Sequence, residues 1–293
     1  MNSSGSLGLK AEFVPGNPRL AITHAGQGEV VLFLHGIGGN RTNWTEQLAR
    51  FSSSFHAIAW DMRGYGDSDD YEGPFRFEDA RMDIDRILDH FKVKGCHLVG
   101  LSLGGRIAFD YAYHQSGKVI SLTACSAVPF SANMEAEVRK AFLATRQKPL
   151  LEGGTPADIA PGVADSLAGP RCSPPARRAL VESISALHAE SYLKMLEAVS
   201  LPMKEYPVNE ICVPTHIVAA ENDSLFPPCN LRQIADAIPG AQYSLLPFAG
   251  HLSNLEFPKA FNDVTHAFIS LHAQACTGIQ PHSIEEERRG QAL

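Results

Sequence analysis

A serine between two glycines, an aspartate and a histidine, in that order along the chain, are the residues with the clearest chemistry. Gly100-Leu101-Ser102-Leu103-Gly104 follows the apolar stretch His97-Leu98-Val99 and precedes Gly105 and a helical pattern from Ile107 to His114. A serine on a sharp strand-to-helix turn needs small neighbours two positions away on each side, and Gly100 and Gly104 meet that need. Such a turn lifts the Ser102 hydroxyl off the sheet and sets it beside a helix N-terminus, whose free N–H groups favour developing negative charge. A hydroxyl is a weak nucleophile at neutral pH and needs a base. Of the twelve histidines, His251 lies on a loop after the last strand pattern, in Phe248-Ala249-Gly250-His251-Leu252, and is the expected base. Asp223, just past the strand pattern Thr215 to Ala220, is the expected carboxylate orienting that imidazole, with Glu221 as its local rival. The other position for such an acid, one strand earlier, is vacant, because Val119 to Ser126 contains neither Asp nor Glu.

An oxyanion formed by attack on a carbonyl needs two donors. The N–H of Leu103, next to the serine, is one. The N–H of Ile37, in His35-Gly36-Ile37-Gly38-Gly39 after the first long apolar strand, is the other. His35 is expected to brace this loop, and Gly36 to let backbone and substrate approach. Arg41, Arg106, Arg139, Lys140 and Arg146 are the cations near these segments. A carboxylate-bearing substrate would favour one guanidinium clamp, so Arg41 and Arg139 join Gly36 as expected substrate contacts.

These residues must be held by elements. Short apolar runs alternate with helical patterns, which argues for an α/β fold: a mostly parallel central sheet with helices on both faces. The strands are expected at Val30 to Leu34, His56 to Trp60, His97 to Val99, Val119 to Cys125, Thr215 to Ala220 and Tyr243 to Leu246. A helix is expected around Asp79 to Phe91. Phe261, Val264, Phe268 and Leu271 recur at helical spacing as one core stripe. From 127 to 207 the alternation stops. Helical patterns such as Met134 to Arg146 and Ala176 to Leu187 are broken by proline and glycine, as in a helical lid inserted over the site. The division expected is 12–126 with 208–273 as core, 127–207 as lid and 274–293 as a flexible tail.

Composition bounds the rest. Of 293 residues, 44% are apolar and 19% charged, the balance of a soluble globular chain with a large core. With 25 Lys and Arg against 32 Asp and Glu the net charge is −7, and no basic cluster is present, so nucleic acid is not an expected partner. No apolar run approaches the roughly 20 residues that span a bilayer, and the N-terminus has no signal-peptide pattern. The six cysteines form no C-x-x-C and read as buried free thiols in a reducing compartment, hence the cytoplasm. Neither metal-ligand spacing nor a nucleotide fingerprint occurs, so no cofactor is expected; the partner is a small-molecule substrate, and the oligomeric state is left open.

Taken with D-M-R-G-Y-G-D-S at 61–68, where Asp61 and Arg63 are read as bracing the oxyanion loop, these motifs resemble the α/β-hydrolase superfamily over about 20–126 and 208–272. G-L-S-L-G-G together with G-H-L-S-N-L-E-F-P at 250–258 is similar to the 3-oxoadipate enol-lactonase and small-ester hydrolase group. The resemblance implies hydrolysis of a small carboxylic ester or lactone through an acyl-enzyme, in a setting such as aromatic catabolism. The chain departs from that group in its lid, which has no tryptophan; the only two are Trp44 and Trp60. Carbon–carbon hydrolases of ring-cleavage diketones are also similar, although their elbow usually begins G-N-S where this chain has Leu101. A ligand receptor and a cofactor-free dioxygenase on the same fold are the remaining alternatives.

Overall fold

The computed structural model describes residues 8–129, 136–201 and 207–273, without the side chains of 136, 138 and 139. The expected tail, 274–293, lies outside the described residues, as do Met134 and Cys276. Strand β3 (Val30–Leu34) is five apolar residues buried on both faces, which is why it reads as an unbroken hydrophobic run. Each such side chain contributes about 1.5–3 kcal/mol relative to exposure. It lies between β4 (His56–Trp60) and β5 (Cys96–Leu101), pairing with both in parallel. Beyond β5 follow β6 (Val119–Cys125), β7 (Thr215–Ala220) and β8 (Gln242–Leu246), all parallel. On the other side β2 (Leu20–Ala25) pairs antiparallel with β4, and β1 (Lys10–Val14) antiparallel with β2. The eight strands thus run β1-β2-β4-β3-β5-β6-β7-β8.

Helices cover both faces. α1 (Thr45–Phe51) packs against α11 (Pro258–His272), and α2 (Phe77–His90) against α3 (Leu103–His114). α9 (Pro228–Ala237) rests on β7 and β8, and α10 (Ser253–Glu256) leads into α11. Between β6 and β7 the chain leaves the sheet for α4 (Ala136–Arg146), α5 (Lys148–Leu151), α6 (Pro156–Leu167), α7 (Pro174–Ser185) and α8 (Ala189–Ser200). Pro161 sits inside α6, so the sequence rule that proline ends a helix fails there. No described helix is long and apolar enough to cross a membrane.

Several expectations need correction. β1 and β2 have no long apolar run: four of the five β1 residues are exposed, because it is an edge strand, so the apolar pattern could not reveal it. In the α11 stripe, Phe261 and Phe268 are core, but Leu271 is 68% exposed at the last turn, past the sheet it would have packed on. Among the described cysteines, Cys96 and Cys125 are buried thiols, whereas Cys212 and Cys229 are exposed on loop and helix surface; Cys172 lies between.

The interior carries a titration handle. His216 of β7 is buried against the Phe268 ring; its Nε2 lies 2.9 Å from Ser244 Oγ, and its Nδ1 has no hydrogen-bond partner. Burial holds its pKa down to about 4. In the unfolded chain it returns to about 6.5, so between these values the unfolded state binds more protons. The stability is therefore complete above pH 6.5 and is lost as pH falls through that window. His35 and His97, also held down by burial, steepen the slope. Melting temperature followed by circular dichroism should fall from pH 6.5 to 4, and His216→Leu should flatten that fall; equal slopes in both proteins would contradict this account.

Candidate active site

The turn from β5 into α3 holds a non-glycine residue at positive φ. Ser102 adopts φ +55° and ψ −117°. An L-residue held there stores about 1–3 kcal/mol, supplied by the packing on either side. That packing explains the glycines. A Cβ on Gly100 would lie 2.3 Å from the Gly104 carbonyl oxygen, and one on Gly104 would lie 2.1 Å from that of Leu34. On Gly105 it would meet Ala127 Cβ at 2.4 Å. The Ser102 N–H donates to the Cys125 carbonyl at 2.9 Å, and its own carbonyl accepts from the Arg106 N–H at 3.0 Å. No side chain caps α3, so Leu103 begins the helix with no side-chain acceptor at its N-terminus.

Alongside runs the loop after β3. A Cβ on Gly36 would stand 3.3 Å from Ser102 Cβ, so this loop and the serine are in direct contact, with Ile37 next along the chain. His35 holds the loop. Its Nε2 accepts the Met62 N–H at 3.0 Å, which requires the proton on Nδ1, placed 2.8 Å from the Gly36 carbonyl that it donates to. Burial lowers its pKa, in keeping with the neutral form. Asp61 accepts from the backbone N–H groups of Arg41 at 2.7 Å and Asp67 at 2.8 Å. Arg63 has a different task from the one expected: its guanidinium is forked onto Asp83 of α2, at 2.7 and 2.9 Å.

Asp223 follows β7 and His251 follows β8, so both stand at the same edge of the parallel strands as Ser102 after β5. His251 Nδ1 lies 2.9 Å from Asp223 Oδ2, and both residues are buried. Asp223 Oδ1 accepts from the N–H groups of Leu225 at 2.9 Å and Phe226 at 3.1 Å. Burial alone would raise the Asp223 pKa; the His251 charge and hydrogen bond, with the Phe226 N–H, outweigh it and hold the carboxyl below its ordinary value. The Phe226 ring stacks on the imidazole at 5.7 Å. Glu221, the rival acid, accepts from the Phe248 N–H instead. Ser102 Oγ makes no hydrogen bond among the described residues.

The expected substrate contacts fare differently. Gly36 adjoins Ser102. Arg41 is engaged elsewhere: its guanidinium grips Asp61 and Asp67, and its Nε donates to Thr23 Oγ1 at 3.1 Å, so it fixes the loop and is not open to a substrate. Arg139 is in α4, and its side chain lies outside the described residues. One residue had no role assigned from sequence. Glu256, within 250–258, is buried, and its Oε2 accepts from the N–H groups of Gly250 at 3.1 Å and Gly169 at 2.9 Å. It ties the His251 loop to the segment after α6, and His251 N–H adds a bond to the Leu167 carbonyl at 3.0 Å. Ser183 Oγ of α7 donates to the Gly38 carbonyl at 3.1 Å, so the helical insert touches the glycine loop as well. Among the described residues no group of three His, Cys, Asp or Glu is placed to hold a metal ion.

The α/β-hydrolase fold family model matches residues 29–258, and the chain belongs to that family. Among curated relatives it is 24% identical over 239 residues to 3-oxoadipate enol-lactonase 2 of Acinetobacter baylyi, covering 81% of this chain and 87% of that one. It is 28% identical over 249 residues to a putative carbamate hydrolase of Variovorax paradoxus, covering 80% and 89%. Among solved structures, a thermophilic esterase from Thermogutta terrifontis superposes with a TM-score of 0.81 at 23% identity, over 90% of this chain and all of that one. The enol-lactonase from Burkholderia xenovorans gives 0.78 at 21%, over 88% of this chain and 100% of its own.

Glu256→Ala removes the acceptor of two buried N–H groups, at a cost of about 1–3 kcal/mol each, so the melting temperature should drop by several degrees. Glu256→Gln keeps an acceptor oxygen and should recover most of the loss; no drop in the alanine variant would show that the latch carries no stability.

Proposed function

We propose that the protein is a serine hydrolase that cleaves a small-molecule carboxylic ester or lactone through an acyl-enzyme, with Ser102, His251 and Asp223 as its triad. The observation that carries the reading is a serine held at φ +55° at the same sheet edge as a hydrogen-bonded Asp–His pair. The family and the relatives named as enol-lactonase and putative carbamate hydrolase support hydrolysis as the reaction class. Ser102 Oγ attacks the carbonyl carbon while His251 Nε2 takes its proton, and Asp223 accepts from Nδ1–H, fixing the tautomer and balancing the imidazolium. The Leu103 and Ile37 N–H groups take the charge on the carbonyl oxygen. His251 then returns the proton to the leaving oxygen, and the C–O bond breaks. For a lactone the leaving hydroxyl stays attached to the acyl group. Water, deprotonated by the same histidine, attacks the acyl-enzyme and releases the acid and Ser102.

In this reading 127–207 acts as a lid, supported by its hydrogen bonds to Gly38, Glu256 and His251. A lid excludes water and sets the size of the acyl group. The test is a panel of p-nitrophenyl esters, small lactones and vinylogous diketones with wild type, Ser102→Ala and Asp223→Asn. Turnover of esters or lactones should fall by about 10⁴ in either variant, because the nucleophile is lost in one and the tautomer in the other. Undiminished turnover in Ser102→Ala would overturn the assignment, and exclusive turnover of diketones would replace ester cleavage by carbon–carbon cleavage.

A further inference from the structure

Hydrogen bonds in series join the helical insert to the peptide that carries the Ile37 N–H. The glycine loop closes as a turn in which the Gly39 N–H donates to the Gly36 carbonyl at 3.0 Å. The same carbonyl accepts the His35 Nδ1–H at 2.8 Å, so both of its lone pairs are engaged within the loop. In a planar trans peptide the C=O and the N–H point in opposite directions, and both peptides of this turn are trans. With the Gly36 carbonyl drawn into the turn, the Ile37 N–H of that plane faces out of it, on the loop that touches Ser102 at Gly36. The Gly38-Gly39 plane is held at both ends. Its N–H serves the Gly36 carbonyl, and its own carbonyl accepts from Ser183 Oγ at 3.1 Å.

Ser183 is buried, on α7 of the insert, and close packing sets it there. A Cβ on Gly38 would lie 3.2 Å from Ile184 Cγ1, so α7 sits flush on the loop. On Gly39 a Cβ would meet Asn43 Oδ1 at 2.7 Å. Just past α7, His188 places its ring nitrogens 2.9 Å from Asp70 Oδ1 and 2.9 Å from the Gly66 carbonyl, which ties the insert to the loop after β4. The Ser183 hydroxyl has one proton and a second acceptor, the Leu180 carbonyl one turn back, at 3.0 Å. Its bond to Gly38 therefore exists only while α7 rests on the loop. When the two part, the hydroxyl still has a partner, so no buried donor is left unpaired.

We infer that Ser183 is a positioning residue for the reaction: through the Gly38-Gly39 and Gly36-Ile37 peptides it aligns and polarises the Ile37 N–H, so that the docked insert completes the oxyanion hole. The inference rests on the reading of Ser102 as nucleophile and Ile37 as oxyanion donor. Each donor in such a chain strengthens the next bond by about 10–30%. Alignment adds to this, since a hydrogen bond weakens steeply once its N–H tilts away from the acceptor. With α7 lifted, the Gly38-Gly39 plane loses one of its two restraints and the turn that aims Ile37 slackens. Closure of the insert over a substrate is thereby coupled to the stabilisation of its transition state.

The test uses the full chain with p-nitrophenyl butyrate. Removing an oxyanion donor outright costs roughly 10²–10³ in kcat, and Ser183→Ala only weakens one. Its kcat should fall about tenfold with KM within about twofold of wild type, and Ser183→Thr, which keeps the hydroxyl, should recover most of the loss. A kcat within about twofold of wild type in the alanine variant, a change confined to KM, or an equal loss in both variants would overturn the relay. Amide hydrogen exchange, resolved by NMR, reads the chain without turnover. The Gly39 N–H should exchange about fivefold or more faster in the Ser102→Ala, Ser183→Ala double variant than in Ser102→Ala. Equal exchange in the two would overturn the relay whatever the kinetics. A wild type that turns over no ester counts against Ser102 as nucleophile alone, and the Gly39 exchange then decides the relay.

Discussion

The close approach of Gly104 to the Leu34 carbonyl is the contact on which the rest of the site depends. It lets α3 start directly against the end of β3, so the chain leaves β5 in a turn too tight for any residue with a Cβ at 100 or 104. The turn forces Ser102 to a positive φ, and the same turn brings the glycine loop after β3 against the serine. The position of Ser102, the helix N-terminus and the glycine loop are thus consequences of one steric constraint. β3 can bear that constraint because its five residues are buried on both faces between two parallel neighbours. A strand anchored in this way does not shift to relieve a crowded carbonyl.

Charge is arranged on the same scaffold by burial and pairing. Asp223 and His251 come from neighbouring parallel strands, whose register brings the loops after β7 and β8 side by side. The carboxylate accepts three N–H donors, which keeps it ionised in spite of its burial. Asp61 plays the corresponding part for the glycine loop, accepting backbone N–H groups from Arg41 and Asp67. Glu256 does so for the junction between the His251 loop and the insert. Three buried carboxylates at loop junctions thus hold backbone amides where regular secondary structure has ended, which is how irregular segments become rigid enough to position a site.

Much of this was legible in the sequence, and the legible part has a common physical origin. The strands β3 to β7 and the G-x-S-x-G turn are written in strong local signals: long apolar runs, and glycines that only a tight turn requires. The order of serine, aspartate and histidine then followed from where strands end. β1 was not legible, since an exposed edge strand needs no apolar run, and β2 was not because polar Thr23 and His24 interrupt its apolar residues. Arg41 looked like a substrate contact because it follows the glycine loop, and only the fold brings Asp61 and Asp67 onto it, from 20 and 26 residues away. The link from Glu256 to Gly169 depends on packing between the insert and the sheet, which no local pattern encodes.

The account stands or falls on Ser102 being an activated nucleophile and not merely a serine in a strained turn. Labelling the native protein with a fluorophosphonate, followed by peptide mass mapping, tests this without knowledge of the substrate. The account predicts one phosphonyl adduct, on Ser102, with labelling strongly slowed in His251→Ala. An unlabelled protein, or an adduct on another side chain with Ser102 unmodified, would contradict it.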